Sequence, residues 1–219
     1  MQSQFRPALF LFTLAFLCAS RLGAAEWNQY HGVNSDKKAR EDLTSVGWLN
    51  KSSSQVWKTA TPLGFSSFTV AGGRAFTLIG RADEDGIQRE VCVALDAKTG
   101  KETWAVWLDR LDYGHGGGNS GASDNKGGDG PRSTPSVSEG RVYALDADFN
   151  LYCLEATTGK QLWKKNISKQ FGGKNIKWKN ASAPLIEGKF VIIGGGGSSQ
   201  SFLAFDKKTG KLAWKSGSE

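Results

Sequence analysis

The sequence predicts an all-β fold built from repeated four-stranded antiparallel sheets. Three observations predict it. Glycine is abundant, 28 of 219 residues, while proline numbers only 5. A Trp-terminated motif recurs three times, and the strands beside it are apolar at nearly every position. Excess glycine without excess proline marks many tight turns between short strands and argues against a helical bundle. With 39% hydrophobic and 22% charged residues and a net charge of +7, the chain is ordinary globular material. That balance excludes a disordered chain and a multi-span membrane protein.

The first element is an address. Arg6 precedes the apolar run Ala8–Ala19, and the tail Ser20–Ala25 places Gly23 and Ala25 in the small-x-small pattern of a cleavage site. Cutting is expected between Ala25 and Glu26, which makes residues 1–25 a signal peptide and exports 26–219 to the periplasm or beyond. The run is shorter than the ~20 apolar residues a spanning helix needs. Phe16 and Leu17 before Cys18 are too bulky for a lipobox, which argues against lipid anchoring. No integral membrane segment is expected after signal cleavage. Cys92 and Cys153 sit inside the apolar runs VCVAL and LYCL. Export permits a disulfide, yet burial as free thiols is the simpler reading.

The repeat comes next. Ala94–Trp104 (ALDAKTGKETW), Cys153–Trp163 (CLEATTGKQLW) and Ala204–Trp214 (AFDKKTGKLAW) each join an apolar strand to an acidic residue, Thr-Gly-Lys and Trp. Upstream lie three further matches, Ser67–Leu78, Ser133–Leu145 and Ser182–Ile193, with Gly73, Gly140 and Gly188 in their turns. The tryptophans recur roughly every 50 residues, a period that belongs to repeat architectures. In each copy the acidic side chain accepts hydrogen bonds from turn amides, and Gly100, Gly159 or Gly210 takes the left-handed conformation that closes the hairpin. Each unit thus supplies four antiparallel strands; in the middle copy these are TPSV, RVYALD, LYCLE and QLWKK.

Strands such as LYCL, VCVAL and FLAF are apolar on both faces, so each sheet needs a neighbour on either side. Sheets stacked radially meet that need, which predicts a β-propeller with Trp104, Trp163 and Trp214 packed between blades. A β-sandwich is disfavoured because it rarely carries a repeated blade motif. Blades are expected at about 65–108, 132–167 and 181–216, with 55–60 (around VWKT) as the outer strand of a closing blade. Closed propellers have about four to eight blades, so some three blades leave the ring incomplete, and the chain reads as the N-terminal part of a longer propeller.

The run A-L-D-A-x-T-G-K-x-x-W resembles the pyrroloquinoline-quinone (PQQ) repeat, the tryptophan-docking motif of quinoprotein-type propellers. Glu26–Gly32 (EWNQYHG), Asp129–Val137 and Phe171–Ile192 are similar to segments of exported bacterial PQQ-like propeller proteins. The resemblance covers nearly all of 26–219 and speaks for fold more than function. It implies two functions. The first is a non-catalytic binding or scaffolding module of the cell envelope, with no cofactor, like the propeller scaffold of the outer-membrane barrel-assembly machinery. The second is a dehydrogenase oxidising an alcohol or sugar with PQQ and calcium. That chemistry needs carboxylate and amide ligands for calcium and an Asp base, and many such enzymes carry an adjacent Cys-Cys pair. The chain has no Cys-Cys, and Asp129 is the one acidic residue near the segments leading to the channel. The first reading is therefore preferred, and no catalytic or metal residue is assigned.

Those channel-mouth segments are Leu63–Ser67, Gly130–Thr134 and Lys177–Ala183. Within them Arg132, Trp178 and Asn180 are the ligand-binding candidates: a planar fork for an anion, a stacking face, and a paired donor and acceptor. The glycine-rich insertion Tyr113–Gly130 holds His115, Asp124 and Asp129, but it lacks the ligand spacing of a calcium loop or zinc site and reads as a surface loop. His31 reads as a packing or capping residue. No acidic residue lies between Glu155 and Glu187, where Lys160, Lys164, Lys165, Lys169, Lys174, Lys177 and Lys179 fall among Trp163, Phe171 and Trp178. Export argues against nucleic acid as the partner of this stretch. An envelope protein, an anionic small molecule or a polysaccharide is expected instead. The sequons at Asn166 and Asn180 are discounted, since the resemblance is bacterial.

Overall fold

The computed structural model describes residues 26–38, 55–110, 130–176 and 179–217. It contains three four-stranded antiparallel sheets in chain order. Blade 1 is β1 (Thr69–Ala71), β2 (Arg74–Ala82), β3 (Gln88–Asp96) and β4 (Glu102–Arg110). Blade 2 is β5 (Ser136–Ser138), β6 (Arg141–Leu145), β7 (Asn150–Glu155) and β8 (Gln161–Asn166), followed by the short helix α1 (Ile167–Phe171). Blade 3 is β9 (Leu185–Glu187), β10 (Phe190–Gly197), β11 (Gln200–Asp206) and β12 (Leu212–Lys215). The inner strands β1, β5 and β9 lie side by side in that order. These are β-propeller blades in a partial propeller.

Alternation along the strands explains the stacking. In blade 2, Val142, Ala144, Tyr152 and Leu154 join Phe76, Leu78, Cys92 and Ala94 in one core. Their neighbours Tyr143, Leu145, Leu151 and Cys153 join Val191, Leu203 and Phe205 in another. One sheet with two buried faces thus belongs to both seams, as its unbroken apolar run requires. Both thiols are free and buried.

The repeat turns are built alike. Asp96 Oδ1 accepts from the Lys98 and Thr99 amides (3.0 and 2.8 Å), and Asp206 repeats this with Lys208 and Thr209 (3.1 and 2.8 Å). Both carboxyls are held below the usual carboxylate range, Asp96 chiefly by the Thr99 hydroxyl and Asp206 chiefly by the Thr209 amide. Each blade then carries a bulge at the same place: Ala94 pairs Trp104 but Leu95 pairs Glu102, and the pattern recurs at Cys153/Leu154 and Ala204/Phe205. The extra residue re-aims the strand just ahead of each tryptophan.

The tryptophans dock forward onto the next blade. Trp104 Nε1 donates to Ala156 O (3.0 Å), and a Cβ added to Gly159 would meet the Trp104 ring at 3.0 Å. The Trp163 ring lies over Gly210 in the same way. Trp214 lies opposite Ala204 on the side of blade 3 away from blade 2 and is 40% exposed, beside Phe202 at 54%. Residues 55–60 carry no strand; Trp57 nevertheless donates from Nε1 to Ala97 O (3.0 Å) and covers Gly100.

Candidate functional site

The segment EWNQYHG ties the inner ends of all three blades together. Trp27 pairs with Val70 of β1 through two backbone bonds (2.9 and 2.8 Å). Asn28 O accepts from Val137 N of β5 (2.7 Å), and Gln29 Oε1 accepts from Ile186 N of β9 (3.2 Å). Gly32, at φ 84°, lets the chain turn back against the Trp27 ring. Next come Tyr30 and His31, whose rings stack at 4.0 Å.

Above this tie the three channel-mouth segments converge. Gly64 and Gly130 approach so closely that a Cβ on Gly130 would lie 2.6 Å from Gly64 Cα, and Phe65 N donates to Pro131 O (2.7 Å). Ser67 N donates to Thr134 Oγ1 (3.0 Å), joining blade 1 to blade 2. Ser133 and Ser136 donate to Ser182 O (2.9 Å) and Pro184 O (2.5 Å), joining blade 2 to blade 3. Between them is a cleft of about 120 Å³ lined by Tyr30, Phe65, Ser67, Arg132, Thr134 and Ala183. A second hollow of about 190 Å³, on the other side of Tyr30, adds Gln29, His31 and Ser35.

Arg132 therefore lies in the cleft, its guanidinium 5.4 Å from the centre of the Phe65 ring. Asn180 lies elsewhere. It is 5% exposed, and its Oδ1 accepts from the Ser182 amide and hydroxyl (3.2 and 2.7 Å), closing a local turn. Trp178, His115, Asp124 and Asp129 lie outside the described residues. His31, read from the sequence as a packing or capping residue, stacks on Tyr30 and borders the second hollow; sequence reasoning missed Tyr30 and Phe65, for which the aromatic within QYHG and GFSS was the available signal. Trp104, Trp163, Trp214, Gly100, Gly159 and Gly210 occupy the docking positions described above, none of them in the cleft.

The seam between blades 1 and 2 carries a buried polar network. Asp146 accepts from Asn150 N (2.7 Å), Asn150 Nδ2 (2.8 Å) and Tyr152 OH (3.3 Å). Asp109 accepts from the same Asn150 amide at 3.2 Å. Glu90 of β3, 1% exposed, accepts from Ala147 N across the seam (2.9 Å). Burial raises the Asp146 carboxyl to about 6. Burial likewise raises the Cys92 and Cys153 thiols to about 12.

Chemically, the cleft offers one cation, aromatic faces and hydroxyls. The described lining contains no carboxylate that would hold calcium, and among the described residues no group of three His, Cys, Asp or Glu could hold a metal ion. No helix among the described residues is long and apolar enough to cross a membrane.

A family model described as outer membrane protein assembly factor BamB matches residues 88–219. The dehydrogenase subunit of alcohol dehydrogenase (quinone) from Gluconacetobacter polyoxogenes is 39% identical over 82 residues, 35% of this chain and 11% of that one. Quinohemoprotein alcohol dehydrogenase from Comamonas testosteroni superposes with a TM-score of 0.62 at 22% identity, over 89% of this chain and 28% of that one. The ADHIIG enzyme of Pseudomonas putida HK5 gives 0.59 at 21% identity, over 87% and 26%. The two structures share the fold, and the chain spans only a small part of each relative's length.

Proposed function

We propose, because the chain belongs to the family described as outer membrane protein assembly factor BamB, that it is an exported, non-catalytic binding or scaffolding module of the bacterial cell envelope. The observation that carries this reading is the cleft itself. Three blades and the segment 26–33 converge there on Arg132, Tyr30 and Phe65, groups suited to bind and orient a ligand. A guanidinium backed by aromatic rings and hydroxyls suits a carboxylate carried on a planar or sugar-like body. Its partner is an anionic small molecule or polysaccharide, or an envelope protein presenting such a group. No cofactor is needed for that role.

The sequence likeness to the alcohol dehydrogenase (quinone) subunit favours a second reading, an oxidoreductase using PQQ and calcium. In it Arg132 and the rings would seat the quinone, which accepts the electrons, while the cation would need oxygen ligands other than the cleft residues described.

One titration separates the two. PQQ and calcium are added to the purified protein while quinone absorbance and dye reduction by alcohols are followed, alongside binding of galacturonate. The proposal expects galacturonate binding that Arg132→Ala abolishes, with no dye reduction. A quinone spectral change with alcohol-dependent dye reduction overturns it.

A further inference from the structure

Across the seam between blades 2 and 3 the repeat buries a lysine. Lys207 follows the turn residue Asp206 and is 5% exposed. Its ammonium donates to Ser138 Oγ (3.1 Å) and pairs with Glu139 Oε1 (2.7 Å) at the β5–β6 turn of the preceding blade. Tyr143 OH donates to its main-chain carbonyl (2.9 Å). An ammonium leaves water only where oxygens replace its hydration, and here a hydroxyl and a carboxylate do so.

One seam earlier the same positions carry other residues. Ala156 stands where Lys207 does, since each follows the turn acid and its amide donates to the neighbouring inner turn, Ala156 to Gly140 O and Lys207 to Lys189 O. Phe76 stands in place of Tyr143, each pairing the residue opposite its blade's tryptophan. With methyl and phenyl in place of ammonium stem and phenol, the seam between blades 1 and 2 holds a cavity of about 410 Å³ that opens to solvent.

The acceptors needed by a lysine are nevertheless there. Gly72 is the equivalent of Glu139, each the first residue of its turn, and it has no side chain; the Glu26 carboxylate comes to it instead, accepting from Gly72 N at 3.4 Å. Asn28 Oδ1, also in the lining, is buried and has no hydrogen-bond partner. Glu139 borders the cavity from the other wall, but its carboxylate is taken by Lys207 in the next seam. Arg74, whose Nε is buried without a hydrogen-bond partner, also lines the cavity; its equivalent beside the buried lysine is Arg141, each opposite its blade's turn acid. Phe76, Val137 and Ala156 supply the apolar surface along which a lysine-like stem would run.

We propose that this cavity binds a small aliphatic primary ammonium compound, its ammonium held by Glu26 and Asn28 and its alkyl stem lying against Phe76, Val137 and Ala156. The site lies at the opposite ends of β1 and β5 from the Arg132 cleft and does not depend on the function proposed above. Recognition requires both a positive charge and N–H donors, so a neutral alcohol or a quaternary ammonium of similar size is rejected.

The test is calorimetric titration of the purified protein with n-butylammonium, the free copy of a lysine side chain, against 1-butanol and tetramethylammonium. Saturable binding of n-butylammonium at least about tenfold tighter than either control, roughly 1.4 kcal/mol, is expected. Ala156→Lys, which writes the next seam's lysine into this one, should abolish binding while keeping or raising the melting temperature. Glu26→Gln, at an exposed position that leaves the fold intact, should weaken binding at least about fivefold and serves if the lysine variant fails to fold. Absence of saturable binding, equal binding of 1-butanol, or unchanged affinity in Glu26→Gln overturns the proposal.

Discussion

The indole of Trp104 donates to the carbonyl of Ala156 across the seam between blades 1 and 2, at 3.0 Å. Its counterpart one seam along, Trp163, keeps the ring contact with Gly210 but leaves Nε1 buried without a partner, and the phenol of Tyr143 takes the equivalent carbonyl, that of Lys207. The same motif therefore carries a hydrogen bond at one seam and only a ring contact at the next.

Replacing each indole by phenyl should expose that difference. Trp104→Phe loses a bond and strands a carbonyl, which costs about 1–3 kcal/mol. Trp163→Phe removes an unsatisfied donor and should cost less than Trp104→Phe in urea unfolding. Equal costs would contradict the assignment.

Gly159 and Gly140 share a positive φ, 76° and 73°, but differ in surroundings. A Cβ on Gly159 meets Val106 Cγ2 at 2.8 Å and the Trp104 ring at 3.0 Å, while one on Gly140 meets nothing within 4 Å. Gly140→Ala should cost only the backbone strain, about 1–2 kcal/mol. Gly159→Ala should cost at least about 1 kcal/mol more, since Val106 and the indole must move. Thermal melts of the two variants check this.

Asp146 gives a pH dependence of defined sign. Its carboxyl is raised from 3.8 to about 6 by burial, so the folded state binds its proton more tightly than the unfolded chain does. The stabilisation is complete below about pH 4 and is lost as pH rises through 6, by at most about 3 kcal/mol. Carboxyls held low, such as Asp96 and Asp206, act in the opposite sense and at lower pH. The parent minus Asp146→Asn difference, measured by denaturation from pH 4 to 8, should carry this loss. A flat difference would contradict it.

Cys92 and Cys153, buried and with thiols raised to about 12, should resist alkylation at pH 8 in the folded protein and react fully in denaturant. Fast labelling of either without denaturant would contradict the packing of the two seams.

Much of the fold was legible because the repeat states it locally. The Asp-x-x-Thr-Gly-Lys turn, the two-faced apolar strands and the recurring tryptophan each follow from short-range chemistry. The seat of the indole was not: Gly159 reads as a turn glycine for its own hairpin, and only the stacking makes it the platform for the preceding blade. The segment 26–33 was equally opaque, because Trp27 and Asn28 reach β1 and β5 through backbone groups that any sequence possesses. Lys207 looks like one more surface lysine in KKTGK until the Glu139 turn buries it. Of the cleft, Arg132 could be named from its place before an inner strand, but Asn180 satisfies its own turn, a competition between local and ligand hydrogen bonds that residue type alone does not decide.

The docking of Trp104 and Trp163 on the glycines of the following blades is tested most directly by a double-mutant cycle between Trp104 and Gly159. In the Trp104→Ala background, Gly159→Ala should cost at least about 1 kcal/mol less than it does in the parent, leaving the backbone strain and the contact with Val106. If the two losses simply add, the indole and the glycine do not meet, and the stacking described here is wrong.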